Sequence, residues 1–313
     1  MNQTPRFGIG ILGTGIMGRR MATALAAHPR FDVIAIWDPS PAALDAAQPL
    51  CPIARRATGI ADLVADPAVD LVYVASPPAH HLNAVQAALA ASRAVLCEKP
   101  LAADTTQAGA LRDAADAASR PTAVHFPFAR SAASRRLIEL VHGGELGDVV
   151  DARITLRFAQ WPRPWQAAAS DWLAGPDEGG FTREVLSHFV FLAQRLFGPA
   201  EVADVLLSRE PGQTETALRA QLVHRQGKVS IDAAVAGDIA DSNRFEVHGS
   251  RSSAALVDWA RLDYGGQISE RSESMPATLD ALAAMLEGRT DHGLASFSEA
   301  ASVVHNIEAM LQG

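Results

Sequence analysis

An apolar run, Phe7 to Leu12, leads straight into Gly13-Thr14-Gly15-Ile16-Met17-Gly18, and residues 17 to 27 then carry a helical pattern. Three glycines at this spacing only permit a tight turn when they stand alone. Between a strand and a helix each has its own physical reason. Gly13 allows the turn, Gly15 lets the backbone approach a pyrophosphate, and Gly18 lets the helix pack on the strand. The first-turn N–H groups, near Ile16 and Met17, have no partners within the helix and form an anion site. The next strand, Val33 to Trp37, ends at Asp38, twenty residues after Gly18, where a carboxylate would meet an adenosine ribose. The segment therefore predicts a dinucleotide-binding unit.

The pattern continues to about His125. Strand-like runs at residues 71–75, 94–97 and 122–125 alternate with alanine-rich helical stretches at 41–47, 80–90 and 104–118. Such alternation implies a parallel sheet covered on both faces, with ligands at the carboxyl ends of its strands. After residue 125 the pattern changes. Residues 131–141 read as a helix and 149–158 as an alternating strand, before an irregular stretch from Ala159 to Gly180 that holds Trp161, Trp165 and Trp172. Gly180 to Phe197 reads as one helix, closed by Gly198-Pro199. Five strand-like runs between 202 and 258, joined by short turns, predict a mostly antiparallel sheet. Two helices, 276–287 and 297–311, close the chain. The expected fold is α/β: a doubly wound domain at residues 1–125, then an α+β domain with a mostly antiparallel open sheet at 126–313.

At 313 residues the chain can fill two such domains. No apolar run reaches the roughly 18 to 20 residues of a membrane span, and no charged leader with a cleavage site precedes Phe7, so a soluble cytoplasmic protein is expected. The net charge of −8, with scattered basic residues, argues against nucleic acid as a partner. Cys51 and Cys97 lack a histidine cluster and give no zinc pattern. His80-His81, His125 and His188 lack ligand spacing, so no metal is expected.

Glu98-Lys99-Pro100 closes the fourth strand-like run. The segment from Ala65 through Val74-Ala75-Ser76-Pro77-Pro78-Ala79-His80-His81 to Cys97-Glu98-Lys99-Pro100-Leu101 resembles the Gfo/Idh/MocA oxidoreductases, the glucose-fructose oxidoreductase and inositol dehydrogenase group. A second signature reads Gly179-Gly180-Phe181-Thr182-Arg183-Glu184-Val185-Leu186-Ser187-His188. The resemblance covers nearly the whole chain and implies a Rossmann domain with a substrate-binding, oligomer-forming partner domain. It implies that Ser76-Pro77 lies beside the cofactor phosphates and ribose and that Lys99 reaches nicotinamide and substrate; Glu98 is expected at the cofactor, and His80, at the start of a helix, either lies near the cofactor or only caps that helix. Two positions depart from the family pattern: Glu184 stands for an aspartate, and Leu186 for a glycine. Residues 124–130 also lack the asparagine or tyrosine and the arginine that many members carry there.

Oxidising a secondary alcohol requires removal of the hydroxyl proton while a hydride leaves the same carbon, so a base and a cation near the oxygen are needed. Lys99 and His188 are the candidates, expected to act on the same oxygen. The neighbours Val185, Leu186, Phe189 and Val190 also allow His188 to be a core histidine, but its place in the second signature favours the functional role. Glu184, four residues before it, shares a helical face with it and could orient the imidazole or hold a substrate hydroxyl; the alternative is a surface pair. Arg183 is expected on a solvated face. Trp165 and its neighbouring tryptophans offer rigid faces for a ring, or else pin the long loop or fill a subunit contact.

These residues predict a hydride transfer between NAD and a sugar, sugar acid or cyclitol, with NADP disfavoured by Asp38. The alternatives are a dehydrogenase of a cyclic hemiacetal or hydroaromatic compound, and a non-catalytic cofactor-binding sensor. The partners expected are a small-molecule substrate and further copies of the chain, packed through the open face of the C-terminal sheet.

Overall fold

A computed structural model describes residues 6–225, 227–237 and 239–313. The described residues fall into two compact units, one from residue 6 to 126 with 275–301, the other at 127–274 with 302–313.

In the first unit, β1 (Phe7–Leu12) leads into α1 (Ile16–Ala27) and β2 (Phe31–Trp37). There follow α2 (Pro41–Ala47), β3 (Arg55–Arg56), α3 (Ile60–Ala65), β4 (Leu71–Val74), α4 (His81–Ala90), β5 (Ala94–Glu98), α5 (Thr105–Asp116) and β6 (Thr122–His125). The six strands are parallel in the order β3-β2-β1-β4-β5-β6. The order reverses between β1 and β4, the point at which ligands bind doubly wound sheets. Buried runs such as Leu71–Val74 and Ala94–Glu98 have both faces covered, as a parallel sheet requires.

The second unit starts with α6 (Ala132–His142) and β7 (Val149–Phe158), then α7 (Ser170–Leu173) and α8 (Ser187–Phe197). The remaining strands are β8 (Ala200–Arg209), β9 (Glu215–His224), β10 (Gly227–Val235), β11 (Ser242–Gly249), β12 (Ser253–Val257), β13 (Arg261–Tyr264) and β14 (Gln267–Ile268). They form one eight-stranded sheet in the order β14-β13-β12-β11-β7-β10-β9-β8. It is antiparallel except for the β7–β10 pair. Alternation along these strands buries Ile154, Leu156, Leu218, Ile231, Phe245 and Val247 on one face. Arg157, Arg219, Asp232, Arg244 and Glu246 stand on the other, linked by ion pairs from Arg157 to Asp232 (3.0 Å) and from Arg244 to Glu246 (2.7 Å).

The closing helices depart from the expected division at residue 126. α9 (Met275–Leu286) returns to the first unit, where Leu279, Leu282 and Met285 join the core formed by Ile9, Ile11, Phe31 and Leu96. Arg30 pairs with Glu287 at 2.6 Å, and Val124 N–H donates to the Ala295 carbonyl at 2.8 Å. α10 (Phe297–Gln312) starts in the first unit and ends in the second. Among the described residues no helix is long and apolar enough to cross a membrane.

Candidate active site

In the first unit the loop after β1 is built as the glycine pattern requires. Gly13 has φ +94°, and a Cβ there would lie 2.6 Å from the Ala75 carbonyl. A Cβ on Gly18 would lie 2.0 Å from the Gly13 carbonyl, so strand, loop and helix meet with no room for a side chain. Gly15 is different: a Cβ there would meet nothing within 4 Å, leaving open space over the start of α1. The Asp38 carboxylate accepts from Thr14 N–H (2.7 Å) and Ser40 N–H (2.9 Å), which brings it beside the glycine loop. The buried hydroxyls of Thr14 and Ser76 have no hydrogen-bond partner among the described residues. Both sit at the β1–β4 switch point, and burying a hydroxyl unpaired costs about 1–3 kcal/mol. Open space, helix N–H groups, a carboxylate and two unpartnered hydroxyls fit a dinucleotide.

The Ser76 and Leu101 loops are tied together by His81, which is fully buried. Its Nε2 lies 2.8 Å from the Ser76 carbonyl and its Nδ1 3.1 Å from the Leu101 carbonyl. Burial pushes this imidazole below its ordinary pKa despite the two carbonyls. The neutral ring can donate to only one of them at a time. His80, expected near the cofactor, is exposed at the start of α4. Lys99 follows β5, whose last residue, Glu98, turns its carboxylate into the protein. Tyr73 OH and His125 Nδ1 (2.7 Å) donate to Oε1, and Lys99 N–H donates to Oε2 (3.3 Å). Burial raises the Glu98 pKa, but the charge and hydrogen bond of His125, with Tyr73 and Lys99, outweigh it and hold the group below its ordinary value.

In the second unit the Gly179–His188 segment is not one α-helix. Thr182–Leu186 forms a π-helical turn and α8 begins only at Ser187. Local bonds explain this. Gly180 has φ +94°, Glu215 accepts from Thr182 N–H at 2.6 Å, and Ser187 Oγ donates to the Arg183 carbonyl at 2.6 Å, competing with the α-helical ladder. π-turns of this kind concentrate at functional sites. Glu184 is half-buried in the turn, and His188 is buried on α8, whose residues 187–193 are all buried. The imidazole packs against Phe128 (ring centroids 5.7 Å apart) and Trp259 (5.3 Å).

Two descriptions cover most of the chain: "oxidoreductase family, NAD-binding Rossmann fold" matches residues 7–126, and "GFO/IDH/MocA C-terminal domain" matches residues 134–255. The chain belongs to the Gfo/Idh/MocA oxidoreductase family. Levoglucosan dehydrogenase of Pseudarthrobacter phenanthrenivorans is 26% identical over 64% of this chain, and the match spans 53% of that protein. Inositol 2-dehydrogenase of Rhizobium meliloti is 25% identical, with 80% of this chain and 75% of that protein covered. A solved oxidoreductase of Agrobacterium radiobacter, in complex with NAD+, L-tartaric acid and magnesium, has the same fold. Its TM-score is 0.85 at 18% identity, covering 98% of this chain and 96% of that one.

This Gfo/Idh/MocA protein is thus an NAD(P)-dependent oxidoreductase, and its structure corrects one residue outright. Arg183 is not solvated: its guanidinium is buried, paired in bidentate fashion with Glu308 (2.7 and 2.9 Å) and donating to the Pro176 (2.7 Å) and Gly179 (3.2 Å) carbonyls. It fixes the glycine pair that precedes the π-turn. Trp165, expected at the substrate, is 48% exposed with Arg163 stacked over it at 4.8 Å, and Trp161 Nε1–H donates to the Leu173 carbonyl at 3.1 Å. Sequence reasoning missed His81, Glu215 and Trp259. His81 had a signal, since it opens the buried stripe of α4 with Ala84, Val85 and Ala88; the other two had none. Among the described residues no group of three or more His, Cys, Asp or Glu is arranged to hold a metal, and both cysteines are buried and free.

Proposed function

We propose that the protein transfers a hydride between NAD and a secondary alcohol or ketone of a small polyhydroxylated substrate: a sugar, sugar acid or cyclitol. The observation that carries this reading is the pairing of two family signatures, each in its own setting: Lys99 at the carboxyl end of β5, and His188 on the buried helix behind the π-turn. Relatives named levoglucosan dehydrogenase and inositol 2-dehydrogenase support the substrate class.

When bound, the nicotinamide supplies the hydride acceptor or donor. The N–H groups at the start of α1 would hold the pyrophosphate, and Asp38 would accept from the ribose hydroxyls. NAD is favoured over NADP because Asp38 would repel a 2′-phosphate and Pro39-Ser40-Pro41 brings no arginine. Arg19, the first cation of α1, donates to the Thr14 carbonyl at 3.0 Å. In the oxidation direction His188 would take the hydroxyl proton, and Lys99 would stabilise the charge developing on oxygen. Glu184 orients the imidazole or holds a neighbouring hydroxyl, and Trp165 contributes an aromatic face to substrate binding. The same steps run backward for reduction. We further propose that copies of the protein associate through the charged open face of the second unit's sheet.

The test is absorbance at 340 nm with NAD across sugars, sugar acids and cyclitols, in wild type and in two variants. Lys99→Ala and His188→Ala should each lower kcat by roughly 10²-fold or more, with NAD affinity retained. The double variant should lose less than the product, because groups serving one step are not additive. Near-normal kcat in His188→Ala would move the base role elsewhere, most simply to Lys99.

A further inference from the structure

The turn between β12 and β13 spends backbone strain on one side chain. Asp258 (φ +49°) and Trp259 (φ +70°) are successive non-glycine residues in left-handed conformation, where glycine or asparagine would be at ease. Only surroundings that over-determine such a pair preserve it, and outliers of this kind cluster at functional sites. Here the constraint comes from one residue of β11. The Asn243 carbonyl accepts from Asp258 N–H at 3.2 Å, and its side-chain Oδ1 accepts from Trp259 N–H at 2.9 Å.

What this arrangement delivers is an indole beside His188. The two rings are perpendicular, at 90° with centroids 5.3 Å apart. Phe128 lies 5.7 Å from the imidazole and 5.7 Å from the indole, and Phe189 lies 5.5 Å from the indole. Phe128 and Phe189 are buried, so their faces are used up by the core. Trp259 is only half-buried. Of Phe128 and Trp259, the two aromatic rings packed on His188, Trp259 is the one that keeps accessible surface. A glycine would relieve the strain at φ +70° but would take the indole out of this aromatic cluster.

We infer that Trp259 is a specificity-determining residue and the positioning residue for His188, its indole serving as a wall on which the C–H face of a ring-shaped substrate stacks next to the base. The inference rests on the catalytic reading of His188 given above. Asn243 acts one step further out, by fixing the turn. The Trp259 face reads ring shape and not hydroxyl identity, since stacking depends on a flat apolar surface.

The experiment uses the full-length protein with NAD and four probes: the rings myo-inositol, D-glucose and 1,6-anhydroglucose, and the acyclic polyol sorbitol. Wild type should turn over at least one ring probe with a lower KM than sorbitol. Trp259→Leu, which keeps bulk without an aromatic face, should raise the ring-probe KM about tenfold and leave any sorbitol KM within about twofold. Trp259→Phe should restore most of the ring preference. A smaller loss of kcat in Trp259→Leu, relieved in Trp259→Phe, reports the positioning of His188. NAD affinity should be unchanged in both, and because each keeps a sizeable apolar side chain the test stays usable if Trp259→Ala fails to fold. Unmoved ring-probe KM in Trp259→Leu, or equal shifts for ring and acyclic probes, overturns the inference while leaving hydride transfer standing. A wild type that turns over none of the probes, nor any other polyol, sinks the reading beneath it as well.

Discussion

At the scale of single residues, the charged groups around the two signatures do different work from what their positions suggest. Arg183 sits one residue before Glu184, where a helical wheel would put it in water; its burial against Glu308 makes it the anchor of the π-turn. Removing one partner of a buried, hydrogen-bonded ion pair leaves the other uncompensated. Arg183→Ala should therefore cost about 3–5 kcal/mol in chemical denaturation. Arg183→Lys should recover only part of it, because an ammonium cannot reproduce the fork that meets both Glu308 oxygens. Fluorescence titration of Asp38→Ala with both cofactors should narrow the preference for NAD, and equal or tighter binding of NADP by wild type would refute that preference. Burial is what sequence could not show at these positions. Arginine, glutamate and tryptophan look alike in a loop or at a helix start whether they face water or the core, and Asp258-Trp259 lacks the glycine or asparagine by which left-handed turns are recognised in sequence.

At the scale of elements, alternating strands and helices made the first sheet legible, because strand length, turn glycines and Asp38 all agree with one topology. β3 was missed, since two residues carry no periodicity. In the second unit the strand runs were visible, but not the parallel pairing of β7 with β10, which depends on which strand lies next to which. The glycine loop is the element with the least tolerance. A substitution at Gly13 meets both a left-handed φ and the Ala75 backbone, whereas the open space over Gly15 makes a small side chain there a test of cofactor binding more than of folding. The Ser76 loop depends on His81, which links it to Leu101. Because burial depresses this imidazole's pKa in the folded protein, the unfolded state binds the proton more readily. The stabilisation is complete above the unfolded value of roughly 6.5 and is lost as pH falls below it toward the folded value. His224, also buried and also depressed, contributes with the same sign. Thermal melting should show Tm falling below about pH 6.5, and His81→Asn should flatten part of that fall. An unchanged slope would assign it to other groups.

At the scale of the whole molecule, the second unit's sheet has one apolar face inside and one charged face outside, where Arg157, Asp232 and Arg244 already make their own pairs. An interface built on that face would be polar and sensitive to salt. Sedimentation of the protein at micromolar concentration should give a mass that is a multiple of 33.1 kDa, and a monomeric mass would count against association. The helical pattern of residues 276–287 was readable, but an amphipathic helix announces only that it needs a core and not which one. Its return to the first unit makes that unit discontinuous in sequence. A ribosome releasing this protein exposes the whole dinucleotide-binding sheet long before Leu279, Leu282 and Met285 emerge. The nascent sheet must therefore wait, with part of its apolar surface uncovered, through the synthesis of nearly all of the second unit. A stop codon placed after Phe126 would yield a fragment with every strand of the first sheet and without the helix that closes its core.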